Sequence, residues 1–397
     1  MGIHVSQLTD LTTQCIRCGF CLESCPTFVL TGEETESPRG RIYLVRSAEE
    51  GQVQWQDAKP HLDKCLGCLA CTTACPSGVK YGEILELARS KVGKSLPKKA
   101  LLTGMTRPNL LRIQLKLGRL FPSKRIPALL SRLLSGQTPE VDKPQLPAKK
   151  SFPSLDESKL PPIRGEVFML EGCAMRVLYP HVNEITRRML RRVGFQVREI
   201  GQGCCGALHA HNGYLDEAKA MRSRLYSALS GDIPIIVNSA GCGSWLKDGD
   251  RSGWVFDASE FLLQEGLAEI LAREGTGGLT RVTYHDACHL SHGQGIRSAP
   301  RELLKAIPGL ELVELEESDM CCGSAGIYNI AQPKMARELL ERKWKNIEST
   351  GATIVATGNP GCHAWIAQAA REHGQRVEVL HTLEVLERSF LRPRSTS

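Results

Sequence analysis

Two short cysteine runs near the amino terminus decide the fold of the first part of this chain. The first reads Cys15-Ile-Arg-Cys18-Gly-Phe-Cys21-Leu-Glu-Ser-Cys25-Pro26, and the second reads Cys65-Leu-Gly-Cys68-Leu-Ala-Cys71-Thr-Thr-Ala-Cys75-Pro76. Three thiolates at this spacing can surround one face of an iron–sulfur cubane, and the proline after the fourth cysteine turns the chain away. Each run therefore predicts most of a 4Fe–4S site.

The two runs are expected to exchange their fourth cysteines. In two-cluster ferredoxins the fourth cysteine of each run binds the cluster of the other run, so we predict a small, mostly helical, ferredoxin-like domain. One 4Fe–4S cluster is assigned Cys15, Cys18, Cys21 and Cys75, and the other is assigned Cys65, Cys68, Cys71 and Cys25. Structural zinc also accepts four thiolates, but two complete copies that end in proline favour iron and sulfur.

Two arginines, Arg39 and Arg41, stand between the runs. Near an anionic cluster they could raise its reduction potential or dock a partner protein. The spacing alone fits equally well with the start of a solvated, charged helix.

The composition excludes several classes of protein. The 397 residues are 42% hydrophobic and 23% charged, which excludes disordered, collagenous and coiled-coil chains. The sequence has no run of about 18 apolar residues, so we expect no transmembrane segment, and the start lacks the pattern of a secretory signal. Sixteen cysteines in such a chain favour metal binding over disulfides. We expect a cytoplasmic protein, with peripheral attachment to the cytoplasmic face of a membrane as an alternative.

Cysteines, prolines and charges divide the chain into four parts. Ten of the 21 prolines lie between Pro97 and Pro162, and residues 87–139 contain 12 Lys or Arg but no Asp or Glu. We therefore predict, in chain order, a two-cluster domain at 1–95, a basic helical connector and proline-rich linker at 96–163, and two repeated units at 164–280 and 281–397.

The larger part of the chain contains an internal repeat. A lone cysteine, a Cys-Cys-Gly and a Gly-Cys recur in the same order, with offsets of 115 to 120 residues. Strand-like runs alternate with helical stretches in each copy, which predicts α/β units with parallel sheets. Ligands bind outside the carboxyl ends of such strands. The candidate metal ligands are Cys173, Cys204, Cys205 and Cys242 in the first copy and Cys288, Cys321, Cys322 and Cys362 in the second.

The repeats resemble the cysteine-rich (CCG) domains of heterodisulfide reductase and its relatives. In that family the pattern ends in C-x2-C, and the cysteines bind an unusual iron–sulfur centre. Here Trp245 and Trp365 stand where the final cysteines would be. Four ligands per copy leave open an ordinary 4Fe–4S cluster, zinc or buried apolar cysteines. His289 and His363 are candidate substitute ligands, although hydrogen bonding to a cluster sulfur is the favoured role.

Three other motifs are set aside. Residues 201–206 match the glycine pattern of dinucleotide-binding loops, but the nearest carboxylates come too early for the ribose contact. Gly93-Lys94-Ser95 lacks the first glycine of a P-loop, and a protease formed by His285 and Cys288 is not supported by its context. We therefore expect no flavin or NAD on this chain.

A basic segment at 100–134 combines leucines with arginines and lysines at helical spacing. It could lie on an anionic membrane surface, pack a leucine face on the larger part of the chain, or present a basic face to an acidic partner. Nucleic-acid binding is not expected, because aromatic residues make up only 5% of the chain and no recognition fold is apparent.

The order of a twin-cluster domain and two CCG repeats resembles the electron-transfer subunit of a respiratory dehydrogenase. Two families share it: the glycolate oxidase iron–sulfur subunit and the iron–sulfur subunit of the anaerobic glycerol-3-phosphate dehydrogenase. Residues 37–44, 61–65 and 75–82 (SPRGRIYL, HLDKC and CPSGVKYG) resemble the former. The resemblance implies flavoprotein partners that oxidise glycolate to glyoxylate, while this chain passes electrons towards a quinone or another acceptor.

Two alternatives to this relay function remain. The CCG repeats themselves could reduce a disulfide or a quinone, or they could form a zinc-stabilised scaffold. We assign no catalytic residue to this chain.

Overall fold

The computed structural model describes residues 6–118, 141–142, 147, 150–201, 203–278, 280–374 and 376–391. Within them, a mostly helical amino-terminal part is followed by connector helices and two α/β units, each built on a parallel sheet. The predicted fold class is therefore confirmed. The predicted domain limits at 95 and 163 fall between helices and strands, and the limit at 280 falls at the first residue of a strand; the division itself stays a prediction.

Short helices surround the two cysteine runs. They are α1 Gln7–Thr13, α2 Pro26–Thr31, α3 Pro38–Glu49, α4 Trp55–Lys64, α5 Ala70–Thr73 and α6 Tyr81–Lys91. Pro26 and Pro38 occupy first turns, where the missing N–H costs no helical hydrogen bond. Ser37 caps α3, because its Oγ accepts the Gly40 N–H at 3.0 Å. The buried faces of the helices form one apolar core with cysteines of both runs.

The described part of the basic connector is helical. It contains α7 Leu96–Thr106 and α8 Pro108–Gly118. Leu102 of α7 is fully buried and packs with Tyr214 and Ile327 of the α/β units. This helix therefore packs its apolar face on the larger part of the chain.

The helix α8 also exposes apolar side chains. Ile113 is 53% exposed and Leu117 is 54% exposed. The remainder of the predicted amphipathic segment, 119–134, lies outside the described residues.

Residues 150–163 run along the first α/β unit with no regular structure apart from a 3₁₀ turn at Glu157–Lys159. Arg188 Nη1 donates to the Pro153 carbonyl at 2.7 Å. Arg191 Nη1 donates to the Pro161 carbonyl at 2.8 Å. These bonds tie the described part of the predicted linker to the unit that follows it.

Both α/β units contain a four-stranded parallel sheet with the same strand order. The first sheet has the order β2-β1-β3-β4, with β1 Gly165–Leu170, β2 Phe195–Glu199, β3 Ile235–Val237 and β4 Val255–Asp257. The second has the order β6-β5-β7-β8, with β5 Thr280–Tyr284, β6 Leu310–Val313, β7 Ile354–Thr357 and β8 Glu378–His381. In each sheet the order reverses between the first and third strands, so the loops after these strands open on one crevice.

The helices of the two units follow the same alternation. The first unit contains α9 Cys173–Leu178, α10 Pro180–Arg192, α11 Ala207–Ala210, α12 Leu215–Ser227, α13 Ala240–Lys247, α14 Ala258–Gln264 and α15 Leu267–Glu274. The second contains α16 Cys288–Ser291, α17 Ser298–Lys305, α18 Tyr328–Ala331, α19 Pro333–Ser349, α20 Pro360–Glu372 and α21 Thr382–Leu391. Among the described residues of the whole chain, no helix has the length and hydrophobicity of a membrane span.

The two sheets share an apolar core. Val167 and Ile236 of the first sheet are fully buried and belong to the same apolar cluster as Val282 and Ile354 of the second. Helices of the two repeats pack against each other in this core, among them Ala258–Gln264 of the first on Ser298–Lys305 of the second, so the repeats are not joined only by the chain.

Candidate iron–sulfur sites

One cavity near the surface of the amino-terminal part is lined by cysteines from both runs. We call it the first cavity, and its cysteines include Cys15, Cys18, Cys21 and Cys75. Cys18 is exposed and the other three are half-buried. The large apolar side chains of Ile16 and Phe20 are exposed beside them. The structure thus brings together the four residues predicted for one cluster.

An adjoining cavity, which we call the second cavity, contains the other four cysteines. These are Cys25, Cys65, Cys68 and Cys71. All four are buried, with 7 to 8% of each residue exposed. Cys71 lines both cavities, so the two sites are direct neighbours. The fourth cysteine of each run therefore lies with the first three of the other run.

Matching backbone turns shape the two runs. Arg17 and Gly67, which precede the second cysteine of each run, have φ angles of 58° and 65°. Gly19 and Leu69, which follow it, have φ angles of 89° and 65°. Such left-handed conformations cost a non-glycine residue about 1 kcal/mol, and strain of this kind concentrates at functional sites.

A buried cation lies beside the second cavity. Arg41 is 1% exposed, its Nη1 lies 4.0 Å from Cys25 Sγ, and its Nη2 donates to Glu36 Oε2 at 2.7 Å. A nearby positive charge favours the thiolate form of a cysteine. Although burial raises the pKa of the Cys65 thiol, Arg41 and Arg89 bring that pKa below its usual value.

The other arginine between the runs lies beside the first cavity. Arg39 lines that cavity, pairs with Glu34 at 2.7 Å, and donates from Nη1 to the Arg17 carbonyl at 3.2 Å. Each of the two arginines thus places a positive charge beside one cavity.

Hydrogen bonds reach the sulfur atoms of the second cavity. Tyr81 Oη lies 3.4 Å from Cys65 Sγ, and the Gly67 N–H donates to the same sulfur at 3.4 Å. Thr27 Oγ1 lies 3.2 Å from Cys25 Sγ. Hydrogen bonds of this kind tune the reduction potential of thiolate-bound iron.

In the first α/β unit, four cysteines meet beyond the carboxyl ends of three strands. Cys173 follows β1, Cys204 and Cys205 follow β2, and Cys242 follows β3. Cys204 Sγ lies 3.8 Å from Cys173 Sγ. Contacts with Cys204 and Cys242, together with burial, raise the pKa of the Cys205 thiol well above its usual value.

The second unit repeats this arrangement with greater burial. Cys288 follows β5, Cys321 and Cys322 follow β6, and Cys362 follows β7; all four are buried. Contact with Cys321 and burial raise the pKa of the Cys288 thiol. Grouped buried thiols release their protons when they bind a metal ion. The donor set suits an iron–sulfur cluster or zinc.

The glycine of each Cys-Cys-Gly is required by close packing. Gly206 and Gly323 both have a φ angle of 92°. A Cβ at these positions would lie 2.6 Å from the carbonyl oxygens of Ala218 and Ala336, respectively. Gly206, the last glycine of the motif at 201–206, is therefore required by the cysteine turn itself.

The two histidines predicted from the sequence have different surroundings. His289 Nδ1 lies 3.6 Å from Cys288 Sγ, which is the favoured hydrogen-bonding role. The ring of His363 instead packs on Tyr179, with ring centroids 4.7 Å apart, and its Nε2 lies 4.0 Å from Glu384 Oε2. Neither histidine belongs to the group of candidate ligand atoms in the described structure.

A third histidine, His285, does belong to that group. Its ligand atom and the sulfurs of Cys322 and Cys362 all lie within 4.8 Å of one another. The pKa of His285 is lowered to about 3, mainly by burial and then by the Lys343 ammonium. Sequence reasoning considered His285 only in the protease motif. The signal available in the sequence is that His285 stands where the first repeat has Leu170, at the end of the matching strand.

The tryptophans at the positions of the missing cysteines are part of the cores. Trp245 is 4% exposed and Trp365 is 1% exposed. Both indole Nε1 atoms are buried and have no hydrogen-bond partner among the described residues. A buried indole side chain therefore fills each of these two positions in place of a thiol.

The second cavity adjoins the cysteines of the second repeat. Cys68 shares one apolar cluster with Cys288 and Cys321. Burial and the neighbouring Cys288 raise the pKa of the Cys68 thiol well above its usual value. Across the same boundary, Tyr328 Oη donates to the Lys64 carbonyl at 2.7 Å. The amino-terminal part and the second repeat thus meet at their sulfur sites.

A single asparagine joins the cysteine groups of the two repeats. Asn359 Nδ2 donates to Cys362 Sγ at 3.6 Å, and its Oδ1 accepts the Gly241 N–H at 3.4 Å, next to Cys242. Nearby, Gln294 Nε2 donates to the Ala240 carbonyl at 3.1 Å. These bonds link the two repeats next to their cysteine groups. The amino-terminal part also contacts the first repeat directly, since Arg89 donates to the His211 carbonyl.

Family models match the same parts of the chain. A model of the 4Fe-4S dicluster domain matches residues 12–79, and a model of the cysteine-rich domain matches residues 167–247 and 282–367. The fold and the cysteine groups thus define an iron–sulfur protein with one dicluster domain and two cysteine-rich domains.

Full-length similarity identifies the family. The chain is 32% identical to the glycolate oxidase iron-sulfur subunit of Escherichia coli (strain K12), over 95% of this chain and 93% of that protein. It is also 32% identical to the probable glycolate oxidase iron-sulfur subunit of Bacillus subtilis (strain 168), over 94% and 92% of the two chains. The chain belongs to the family of glycolate oxidase iron–sulfur subunits.

A shorter relative matches part of the chain. Lactate utilization protein A of Oceanobacillus iheyensis is 30% identical over 235 residues, which is 56% of this chain and 96% of that protein.

Proposed function

We propose that this chain is the electron-transfer subunit of a flavin-dependent 2-hydroxy-acid dehydrogenase whose substrate is glycolate. Partner flavoprotein subunits oxidise glycolate to glyoxylate, and this chain accepts the electrons and delivers them to a quinone or another acceptor. The proposal is supported by similarity to glycolate oxidase iron–sulfur subunits over nearly the whole length. Bound 4Fe–4S clusters supply one-electron transfer without binding an organic substrate.

We assign one 4Fe–4S cluster to each amino-terminal cavity. The proposed ligands of the first are Cys15, Cys18, Cys21 and Cys75, and those of the second are Cys25, Cys65, Cys68 and Cys71. In each repeat the four grouped cysteines hold one further centre, an iron–sulfur cluster or zinc. The support is that the four cysteines of each set lie together.

The serial placement of these sites carries the proposal. Cys18 of the first cavity is exposed, Cys71 joins this cavity to the second, and Cys68 shares an apolar core with the second-repeat cysteines. A route that begins at the surface and continues inward through adjacent sites is what an electron relay between two partners needs.

A basic, partly apolar helix supports a membrane acceptor. Ile113 and Leu117 of α8 are exposed beside Arg112 and Lys116. Helices that combine exposed apolar and basic side chains bind the surface of anionic membranes. We therefore place the protein in the cytoplasm, attached peripherally to the membrane from which a quinone accepts the electrons.

The test is anaerobic reduction of the purified chain by glycolate. The chain alone is expected to oxidise no glycolate, and addition of the flavoprotein subunits is expected to bleach its iron–sulfur absorption when glycolate is present. Cys18→Ser should slow this bleaching sharply. Cys173→Ser, which alters the first-repeat site and neither amino-terminal cavity, should leave the initial rate unchanged.

Three results would contradict the proposal or select an alternative. Glycolate oxidation by the chain alone would show that it carries its own catalytic site. Bleaching by glycerol 3-phosphate and its flavoprotein, but not by glycolate, would favour the anaerobic glycerol-3-phosphate dehydrogenase. Direct reduction of a disulfide or quinone by the repeats' centres in the Cys18→Ser chain would favour a CCG reductase.

A further inference from the structure

His285 occupies an unusual position in the core of the second repeat. It comes directly after β5, and its backbone N–H donates to the Ala356 carbonyl at 2.9 Å, which fixes it at the carboxyl end of the sheet. The residue is 1% exposed. Its ring Nδ1 is buried and has no hydrogen-bond partner among the described residues. Buried polar atoms are nearly always paired, so this nitrogen requires an explanation, as do the buried, unpaired ring nitrogens of His289 and His363.

The sulfur neighbours of His285 suggest one. The ligand atoms of His285, Cys322 and Cys362 all lie within 4.8 Å of one another. Ligands at about 2.0–2.1 Å (nitrogen) and 2.3 Å (sulfur) from one tetrahedral metal ion are roughly 3.5 to 4 Å apart. The three atoms are therefore close enough to share a metal after small adjustments of their side chains.

The first repeat provides a natural comparison. Leu170 holds the place that corresponds to His285, three residues before the lone cysteine of its repeat. It is 2% exposed and packs with Cys205 and Trp245. The two repeats have the same strand order and the same four cysteines. At this position, however, the first repeat has an apolar side chain and the second has an imidazole. Packing at this position does not require a histidine.

We infer that His285 supplies a nitrogen ligand to the metal centre of the second repeat, so that this centre has a mixed cysteine and histidine donor set. The inference rests on the proposed function, which places a metal centre in each repeat. The first-repeat centre, with Leu170, has cysteine ligands only. A neutral imidazole leaves an iron centre less negative than another thiolate would, and histidine ligation raises the potential of iron–sulfur centres.

The position of the second-repeat centre determines what a raised reduction potential there does to electron flow. The second repeat adjoins the second cavity, and Asn359 links its cysteine group to that of the first repeat. A centre of raised potential at this position favours electron flow out of the amino-terminal clusters and into the repeats.

The test uses full-length protein labelled with ¹⁵N-histidine and purified anaerobically. After stepwise reduction, pulsed EPR is expected to show a strongly coupled histidine nitrogen on a signal that Cys322→Ser abolishes. His285→Leu, which introduces the residue of the first repeat, should remove this coupling. His289→Leu and His363→Leu should retain it. His285→Cys should keep the metal, lose the nitrogen coupling and lower the potential of the centre.

Leu170→His provides the converse variant. It is expected to add a second coupled nitrogen, on a signal that depends on Cys205. If metal analysis finds zinc in the second repeat, the same variants are compared by zinc-edge X-ray absorption. A nitrogen neighbour at about 2.0–2.1 Å should then be lost in His285→Leu.

The failure of this inference differs from a failure of the proposed function. Iron or zinc that depends on Cys322, with no nitrogen coupling or with the same coupling in His285→Leu and His285→Cys, would overturn the inference and leave the relay intact. Metal content unchanged by Cys322→Ser would show that the second repeat holds no centre. That result would overturn the inference together with the part of the proposed function on which it rests.

Discussion

Single side chains set the electrostatics of the second cavity. Its four cysteines are buried, so their thiolates depend on nearby donors and cations rather than on water. Arg41 supplies a charge and Tyr81 supplies a hydroxyl. Substitution of Tyr81 removes a hydrogen bond and substitution of Arg41 removes a charge, so the two effects on this cavity can be measured separately.

Tyr81→Phe removes the hydroxyl that lies 3.4 Å from Cys65 Sγ. We expect a lower reduction potential for the second cluster, because a hydrogen bond to a thiolate stabilises the more negative, reduced form. The loss of stability should be modest, about 1 kcal/mol. An EPR-monitored redox titration measures the effect. Tyr43→Phe is the matched control, since Tyr43 is 52% exposed; equal potentials in both variants would contradict the prediction.

Arg41→Met leaves the buried carboxylate of Glu36 without its closest cation. Breaking a buried ion pair on one side costs about 3–5 kcal/mol, and Lys64 and His61, which also contact Glu36, should reduce the loss. We expect a marked fall in thermal stability of the amino-terminal domain. Arg46→Met on the same helix removes an exposed pair with Glu50 and should cost only about 0.3–0.5 kcal/mol.

Sequence is informative about contacts within one cysteine run and silent about contacts between strands. The exchange of Cys25 and Cys75 is predicted from the pattern of two-cluster ferredoxins; each lines the cavity of the other run, and its role as a ligand stays a prediction. His285 meets Cys322 and Cys362 only after three strands have formed a sheet. No local spacing records that contact, and a lone histidine after a strand resembles an ordinary core residue.

At the scale of secondary-structure elements, each repeat depends on a turn packed tightly against a helix. The Cys-Cys-Gly turns lie against α12 in the first repeat and α19 in the second, with no room for a side chain at the glycine. The turn and the helix therefore hold the two adjacent cysteines in place.

Gly206→Ala and Gly323→Ala should each destabilise their repeat by about 1–3 kcal/mol, because the new Cβ meets a carbonyl oxygen and the left-handed backbone becomes strained. Metal bound to that repeat should decrease as well. Gly201→Ala is the control, since nothing lies within 4 Å of its Cβ position. Metal analysis and thermal unfolding provide the measurements. Equal effects of all three substitutions would argue against the packing explanation.

A helix cap supplies a pH-dependent prediction. Asp257 caps α14 by accepting the Ser259 N–H at 2.8 Å, and burial raises its pKa from 3.8 to about 6. The folded state thus favours the protonated carboxyl. The stability that the protonated Asp257 carboxyl contributes is complete below pH 3.8 and is lost as the pH rises through about 6.

Asp257→Asn should therefore be more stable than the wild type at pH 8, by at most about 3 kcal/mol. The difference in stability should shrink as the pH falls to 5, because Asp257 then becomes protonated and, like asparagine, caps the helix without a charge. Asp156→Asn, at an exposed cap, should show no such gain. Thermal unfolding at both pH values measures the effect, and a difference that grows at low pH would contradict the assignment.

The strands predicted from sequence are those in runs bounded by turns or helical stretches. The strand-like runs at 166–172, 195–201, 233–239, 281–287, 310–316 and 353–359 coincide with β1, β2, β3, β5, β6 and β7. The strands β4 and β8 were missed. Each is the last strand of its sheet and runs directly into a helix, β4 into α14 and β8 into α21. No turn separates the strand pattern from the helical one, so the sequence does not show where the strand ends.

At the scale of the whole molecule, the described sulfur sites are arranged in a series. The exposed first cavity adjoins the buried second cavity, which adjoins the second repeat, and Asn359 links that repeat to the first. Chain order does not give this order in space: the amino-terminal part contacts both repeats, and its second cavity shares an apolar core with cysteines of the repeat that is more distant in sequence.

Cys25→Ser removes a proposed ligand of the second site and should interrupt the series. We expect the first cluster still to be reduced by the partner flavoprotein, while reduction of the second-repeat centre becomes at least about tenfold slower, a loss equivalent to roughly 1.4 kcal/mol in the barrier. Freeze-quench EPR after addition of glycolate and partner resolves the two signals. Cys173→Ser should leave both rates unchanged, because Cys173 is a proposed ligand of neither of the two centres that are followed. Unchanged second-repeat reduction in Cys25→Ser would show that electrons take another route.

The exchange of fourth cysteines also constrains how the protein is made. Cys75 lies with the first run and Cys25 lies with the second. During synthesis, neither four-cysteine cavity can close until the second run has left the ribosome, however early the first run emerges. Both cavities then become complete almost together. Cofactor insertion into this domain is thus a single late event, and a nascent chain truncated before the second run can mature neither site.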